Sequence, residues 1–216
     1  MPENKACLII GAGDDTGAAV ARAFAREGMI ACLVRRPRHE NALKALTQEI
    51  IDEGHRAVAL PADARDEEVM AALIGRIENE IAPIETAVFN IGANVNFPVT
   101  QTTTRVYRKV WEMGCFAGFL MGREVASRMI ERGRGTIIFT GATASFRGGA
   151  GYSAFAGAKH GLRALAQSMA RELGPQGIHV AHVIVDGAID SKFIRENLPN
   201  VDELRDESAI VMTKAR

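Results

Sequence analysis

Apolar runs of strand length alternate with amphipathic stretches of helix length along most of the chain. That alternation is expected of parallel strands joined by crossover helices, and it predicts a doubly wound α/β sheet. Ala6 to Ile10 reads as the first strand, and Gly17 to Glu27 as a helix stopped by Gly28, just past its end. Met29 to Val34 is the second strand, Asn41 to Glu53 a helix closed by Gly54, and Ala57 to Leu60 the third strand. Asp66 to Ile81 follows as a helix before Pro83, with Thr86 to Phe89 as the fourth strand. A long helical region from Thr103 to Arg132, broken near Gly114, leads to a fifth strand from Thr136 to Thr140. Tyr152 to Leu173 is a long helix, and His179 to Val185 the sixth strand. The last twenty or so residues turn polar and lose this periodicity, as a poorly ordered tail would.

Composition narrows the function classes. A chain of 216 residues suits one domain spanning 1–216, since that size already buries a sizeable core. The 26 basic and 26 acidic residues cancel, so no global field holds the protein on nucleic acid or on an anionic membrane. Cys7, Cys32 and Cys115 lie in apolar contexts without metal-ligand spacing, and they read as reduced core residues. No basic, apolar leader and no apolar run of about 20 residues is present, so a cytoplasmic protein without a membrane span is expected.

The segment Leu8 to Ala19, LIIGAGDDTGAA, puts Gly11, Gly13 and Gly17 between the first strand and the first helix. Glycines there let the backbone turn tightly and approach a phosphate, while amides at the helix N-terminus bind a pyrophosphate. Strand before and helix after is the context that gives such a loop its value, and it makes the sheet Rossmann-type, three α/β/α layers in strand order 3-2-1-4-5-6. Asp14 and Asp15 would repel a pyrophosphate, and capping of the helix by Asp15 or Thr16 is the expected use of one of them. After the second strand, where a carboxylate would select NAD or S-adenosylmethionine, stand Arg35 and Arg36. Paired guanidinium groups suit a 2′-phosphate, which points to NADP(H) in preference to NAD(H) and away from a methyltransferase. The competing interpretation is a solvated basic turn, since Arg38 and His39 follow.

From about Ala6 to Phe193 the chain resembles the short-chain dehydrogenase/reductase family. Gly11 and Gly17 stand in the first and third glycine places of that family's TGxxxGxG loop, with Asp15 in the middle place and Gly13 and Thr16 beside them. Asp63 and Ala64 in PADAR match the aspartate segment by the adenine ring, and Asn90 and Gly92 in FNIGA match the NNAG motif under the adenosine. VDGAIDS, Val185 to Ser191, resembles the PGxIxT segment that holds the nicotinamide carboxamide, with Asp186 in the proline place and Gly187, Ile189 and Ser191 retained. The resemblance implies a homodimer or homotetramer through its long helices, and the small residues Gly157, Ala158 and Ala164 suggest close packing against a partner helix. Relatives usually continue into a seventh strand, for which only Ala209 to Met212 gives a signal here, while Asp190 to Asn197 is a candidate lid.

The family's catalytic set is Asn, Ser, and a Tyr four residues before a Lys, a spacing that puts both side chains on one helix face. The lysine is Lys159, but Phe155 occupies the tyrosine place, Ala142 the serine place and Gly114 the asparagine place. Lys159 then binds the cofactor ribose. Tyr152 or a bound water is the candidate replacement acid, about one helical turn from the family hydroxyl, and Thr143 or Ser145 could supply a hydroxyl near the serine place. Cys115 has little to lower its thiol pKa and makes a poor nucleophile. Two function classes follow. One is an NADP(H)-dependent oxidoreductase acting on a small carbonyl or alcohol; the other is a non-catalytic NADP(H)-binding module. No metal site is expected.

Overall fold

The computed structural model describes residues 4–13 and 15–186. Six parallel strands, β1 (Ala6–Ile10), β2 (Ile30–Arg35), β3 (Ala57–Pro61), β4 (Ile84–Phe89), β5 (Gly135–Ala142) and β6 (Ile178–Val185), form one sheet. Their order is β3-β2-β1-β4-β5-β6, as the sequence predicts. The helices are α1 (Thr16–Arg26), α2 (Glu40–Asp52), α3 (Glu67–Arg76), α4 (Thr104–Trp111), α5 (Ala117–Arg132) and α6 (Ser153–Leu173). Alternation along the strands divides the core in two. Ala6, Leu8 and Ile10 pack with residues of α3, α5 and α6, while Cys7 and Ile9 pack with α1 and α2 on the other face. Among the described residues no helix is long and apolar enough to cross a membrane.

Element ends differ from expectation by small shifts with local causes. Asp66 stands outside α3 and caps it, its Oδ1 accepting the Val69 amide at 3.1 Å. The break near Gly114 is a wide helical turn, Glu112–Phe116, that joins α4 to α5 and brings Gly114 against α6. A Cβ added at Gly114 would lie 3.1 Å from the Cβ of Ala158. β5 runs on to Ala142, which pairs with Val185 of β6.

One expectation is corrected. Asp15 precedes α1 but its side chain caps nothing: its ψ of −100° departs from the extended backbone that caps use, and the Ala18 and Ala19 amides bond the Gly13 and Asp15 carbonyls instead. Gly157 and Gly161 of α6 are closely packed within this chain, while Ala164 is exposed. A Cβ at Gly157 would stand 2.8 Å from the Tyr107 hydroxyl, and one at Gly161 2.9 Å from the Cys115 sulfur. Gly187, Ile189, Ser191, Asp14, the lid candidate and the Ala209 to Met212 signal lie outside the described residues.

Candidate active site

In a parallel sheet whose order reverses between β1 and β4, the crevice opens beyond the carboxyl ends of the strands. A cleft of about 260 Å³ lies there, lined by Gly11, Arg36, Asp63, Asn90, Gly92 and Met113 among others. Its floor is a close crossing of backbone. Gly11 has φ +91°, and a Cβ on it would stand 2.8 Å from the Asn90 carbonyl oxygen. A Cβ on Gly17 would stand 2.5 Å from the Gly11 carbonyl oxygen, so α1 begins against the loop only because both residues lack side chains. Asn90 Nδ2 donates to the Gly11 carbonyl at 3.2 Å and ties the β4 end to this loop. Gly13 has open space around its Cα.

At the far end of the cleft, Arg35 closes β2 and Arg36 leads into the turn Pro37–His39. Across from them Asp63 accepts three bonds from Arg65: from the backbone amide at 3.1 Å, Nε at 3.0 Å and a terminal nitrogen at 2.6 Å. These bonds hold the Asp63 carboxyl below its ordinary pKa. Partial burial, then Arg38 and Arg65, hold the Arg36 guanidinium below its ordinary value, with Asp63 opposing them. One carboxylate already paired to Arg65 therefore faces several cations, and an anion placed among them would relieve their repulsion. The glycine crossing and the start of α1 beside it fit a dinucleotide. Arg65 was not identified from the sequence, because nothing in the periodicity of PADAR shows that its side chain folds back on Asp63.

The other end of the crevice centres on Lys159, a buried cation on α6 with 2% of its surface exposed. Its Nζ donates to the Ile91 carbonyl at 3.0 Å and the Thr140 carbonyl at 2.9 Å, leaving one of three N–H bonds for a ligand. Burial lowers its pKa from 10.5 to about 8. Phe155 lies one turn earlier on the same face, with the ammonium 5.9 Å from its ring centre. Phe155 is buried with Ala144 and Ala156, and Ala142 packs against them. Gly114 reaches α6 at Ala158, one residue before Lys159. Phe155 and Gly114 are thus brought close to Lys159, with Ala142 packed against Phe155.

The candidate substitutes are placed differently. Tyr152 precedes α6, 36% exposed, and its ring packs near Gly149. Ser145 is fully buried, and its Oγ accepts the Ala142 amide at 3.0 Å. The Thr143 hydroxyl donates to the Asp186 carboxylate, which also lies 3.8 Å from Arg147. Cys115 has Lys159 nearby, yet burial dominates and raises its thiol pKa, so it stays a thiol. His182 of β6, not identified as a site residue from the sequence, carries a buried Nε2 with no hydrogen-bond partner. A Cβ on Gly141 would meet that ring at 2.2 Å and Ser145 Oγ at 2.9 Å, so Gly141 alone leaves room for both.

Comparison with known proteins agrees with this geometry. The profile of the short chain dehydrogenase family matches residues 5–201. A crystal structure of a short-chain dehydrogenase from Rhodopseudomonas palustris is 52% identical, with a TM-score of 0.81 over 88% of this chain and 87% of that one. A 1-deoxy-11-beta-hydroxypentalenate dehydrogenase of Streptomyces exfoliatus is 29% identical over 196 residues, 89% of this chain and 70% of that protein. A gluconate 5-dehydrogenase from Burkholderia cenocepacia, solved with NADP and tartrate, shares the fold at 22% identity and a TM-score of 0.84, covering 93% of this chain and 77% of that one.

Proposed function

The chain belongs to the short-chain dehydrogenase family, whose members are NAD(P)-dependent oxidoreductases, and from that premise we propose an NADP(H)-preferring enzyme for a small carbonyl or alcohol. The observation that carries the preference is the cation cluster of Arg35, Arg36, Arg38 and Arg65, in which Arg36 is held below its ordinary pKa. A 2′-phosphate beside Arg36 would offset the repulsion from its guanidinium neighbours, and a guanidinium fork bonds it through two N–H groups. Residues 1–216 act as one nucleotide-binding domain of a cytoplasmic homodimer or homotetramer.

Gly11, Gly13, Asp15, Thr16 and Gly17 offer backbone to the pyrophosphate. Asp63, Ala64, Asn90 and Gly92 flank the adenosine. Lys159 takes the nicotinamide ribose with its remaining N–H, and Gly187, Ile189 and Ser191 hold the carboxamide, as their match to the family segments implies. When bound, the nicotinamide supplies or accepts the hydride.

With Phe155, Ala142 and Gly114 at the family's tyrosine, serine and asparagine places, the site is an atypical one that lacks the usual positioned phenol. Tyr152 and Thr143 are the hydroxyl-bearing candidates for the proton. Orientation of the reactants then carries more of the rate than acid catalysis does. Fluorescence titration tests the cofactor reading: NADPH should bind at least about tenfold tighter than NADH, as expected of one charge-assisted hydrogen bond worth about 1.5 kcal/mol or more. Equal affinities would remove the preference.

A further inference from the structure

We propose that Thr143 and Asp186 form a proton relay that takes over from the absent phenol, a step that rests on the oxidoreductase reading above. The register of the sheet creates the pair. β5 and β6 are parallel and end in step, Ala142 beside Val185, so the next residues, Thr143 and Asp186, emerge side by side at the carboxyl edge of the sheet, the edge on which the crevice opens. The Thr143 hydroxyl donates to the carboxylate there. An ionised carboxylate only accepts, so the bond has this direction and leaves the Thr143 oxygen with a lone pair for a second proton.

The neighbouring groups are engaged or enclosed. Phe155 has no proton to exchange. Lys159 directs two of its N–H bonds at carbonyls. Ser145 is fully buried on the Ala142 amide, and the His182 Nε2 is enclosed without a partner. Asp186, by contrast, is exposed, with Arg147 3.8 Å away, so a proton that reaches it can leave to water.

In alcohol oxidation the substrate hydroxyl gives its proton to Thr143 Oγ1 while the proton already on Oγ1 passes to Asp186 Oδ1. The electron pair of the substrate C–H bond leaves as hydride to the oxidised nicotinamide nucleotide, and the O–H pair becomes the second bond of the carbonyl. Asp186 then releases its proton to solvent. Carbonyl reduction runs the same transfers backwards, with protonated Asp186 as the source. Thr143 touches the substrate, and Asp186 acts through it.

The test compares the native chain with Asp186→Asn, Thr143→Val and Thr143→Ser. NADPH affinity is measured by fluorescence, and turnover with NADP+ on cyclohexanol, 1-phenylethanol and D-gluconate. Asp186→Asn and Thr143→Val should lower kcat by about 10²–10⁴-fold, the usual worth of a positioned proton acceptor, with KM and NADPH affinity unchanged. Thr143→Ser, which keeps the hydroxyl, should recover most of the kcat that Thr143→Val loses. A second readout needs no nucleotide: the infrared carboxylate stretch assigned to Asp186 by its loss in Asp186→Asn should shift in Thr143→Val and stay in place in Thr143→Ser. Native kcat in Asp186→Asn, an unshifted band in Thr143→Val, or a nucleotide-binding chain inert on all three alcohols would overturn the relay. Failure to bind either nucleotide would instead remove the oxidoreductase reading, and the relay with it.

Discussion

At the end of β2, Arg36 feels the like charges of Arg38, Arg65 and Arg35, while Arg65 pairs with the Asp63 carboxylate. On α6 a single ammonium is enclosed against two carbonyls and a phenyl ring. The first region gathers like charges, with burial and neighbouring guanidinium groups acting against Arg36. The second is nearly complete by itself, because its carbonyls supply the partners that a buried cation needs. On our reading, cofactor recognition is concentrated where like charges gather, and proton-transfer groups are fewest around the enclosed ammonium.

The strongest way to break this contrast is to add hydroxyls to the second region. Phe155→Tyr with Ala142→Ser should raise turnover most where the relay is cut, by about 10²–10⁴-fold in an Asp186→Asn background, the range for a positioned acid, while NADPH affinity stays constant in the same preparation. An unchanged rate would mean that the region lacks more than those two groups.

Weakening the first region is the converse experiment. Arg35→Ala with Arg36→Ala removes two charge-assisted bonds worth about 1.5–3 kcal/mol each, so NADPH should bind at least about a hundredfold more weakly. NADH affinity should barely move, and equal losses would show that the arginines do not read a phosphate.

The buried ammonium makes a third test, through pH. Its folded pKa of about 8 lies below its ordinary 10.5, so between these values the unfolded chain holds more protons and stability rises with pH. Below pH 8 the cost of enclosing the charge is fully present. The difference in unfolding free energy between the native chain and Lys159→Met should therefore shift in favour of the native chain by at most about 3 kcal/mol from pH 8 to 10.5. A flat difference would mean that the lysine stays charged in the fold.

The smallest effect sharpens the packing side. Gly114→Ala forces a Cβ to 3.1 Å from Ala158 and should cost about 1 kcal/mol in thermal unfolding. Gly13→Ala, with open space around it, should cost far less.

Much of this contrast was legible in the chain. The strands and helices, the break near Gly114 and the convergence of Phe155 and Lys159 follow from periodicity and helical spacing, which are local properties, whereas the strand order rests on the fold that the glycine loop implies. What was missed depends on long-range placement. Arg65 folds back on Asp63 through a turn, and His182 meets Ser145 across the glycine at 141, so neither has a period to detect. The Asp15 cap failed because a favourable residue type does not fix the ψ that capping needs. The glycines of α6 mark close packing against Tyr107 and Cys115 of the same chain, while the exposed Ala164 remains open to a partner helix.

The in-step ending of β5 and β6 carries an engineering consequence. Thr143 and Asp186 are 43 residues apart and become neighbours only through strand alignment, so the register of β6 on β5, and not the length of chain between them, sets their distance. Sliding β6 by one residue would set Val185 where Asp186 now stands and turn the carboxylate to the opposite face of the sheet. Insertions in the loop at 147–151 should be tolerated, because α6 lies between them and β6. A single-residue insertion within β6 itself should leave the chain folded yet separate the two oxygens, which makes strand length a setting of this site as much as residue identity.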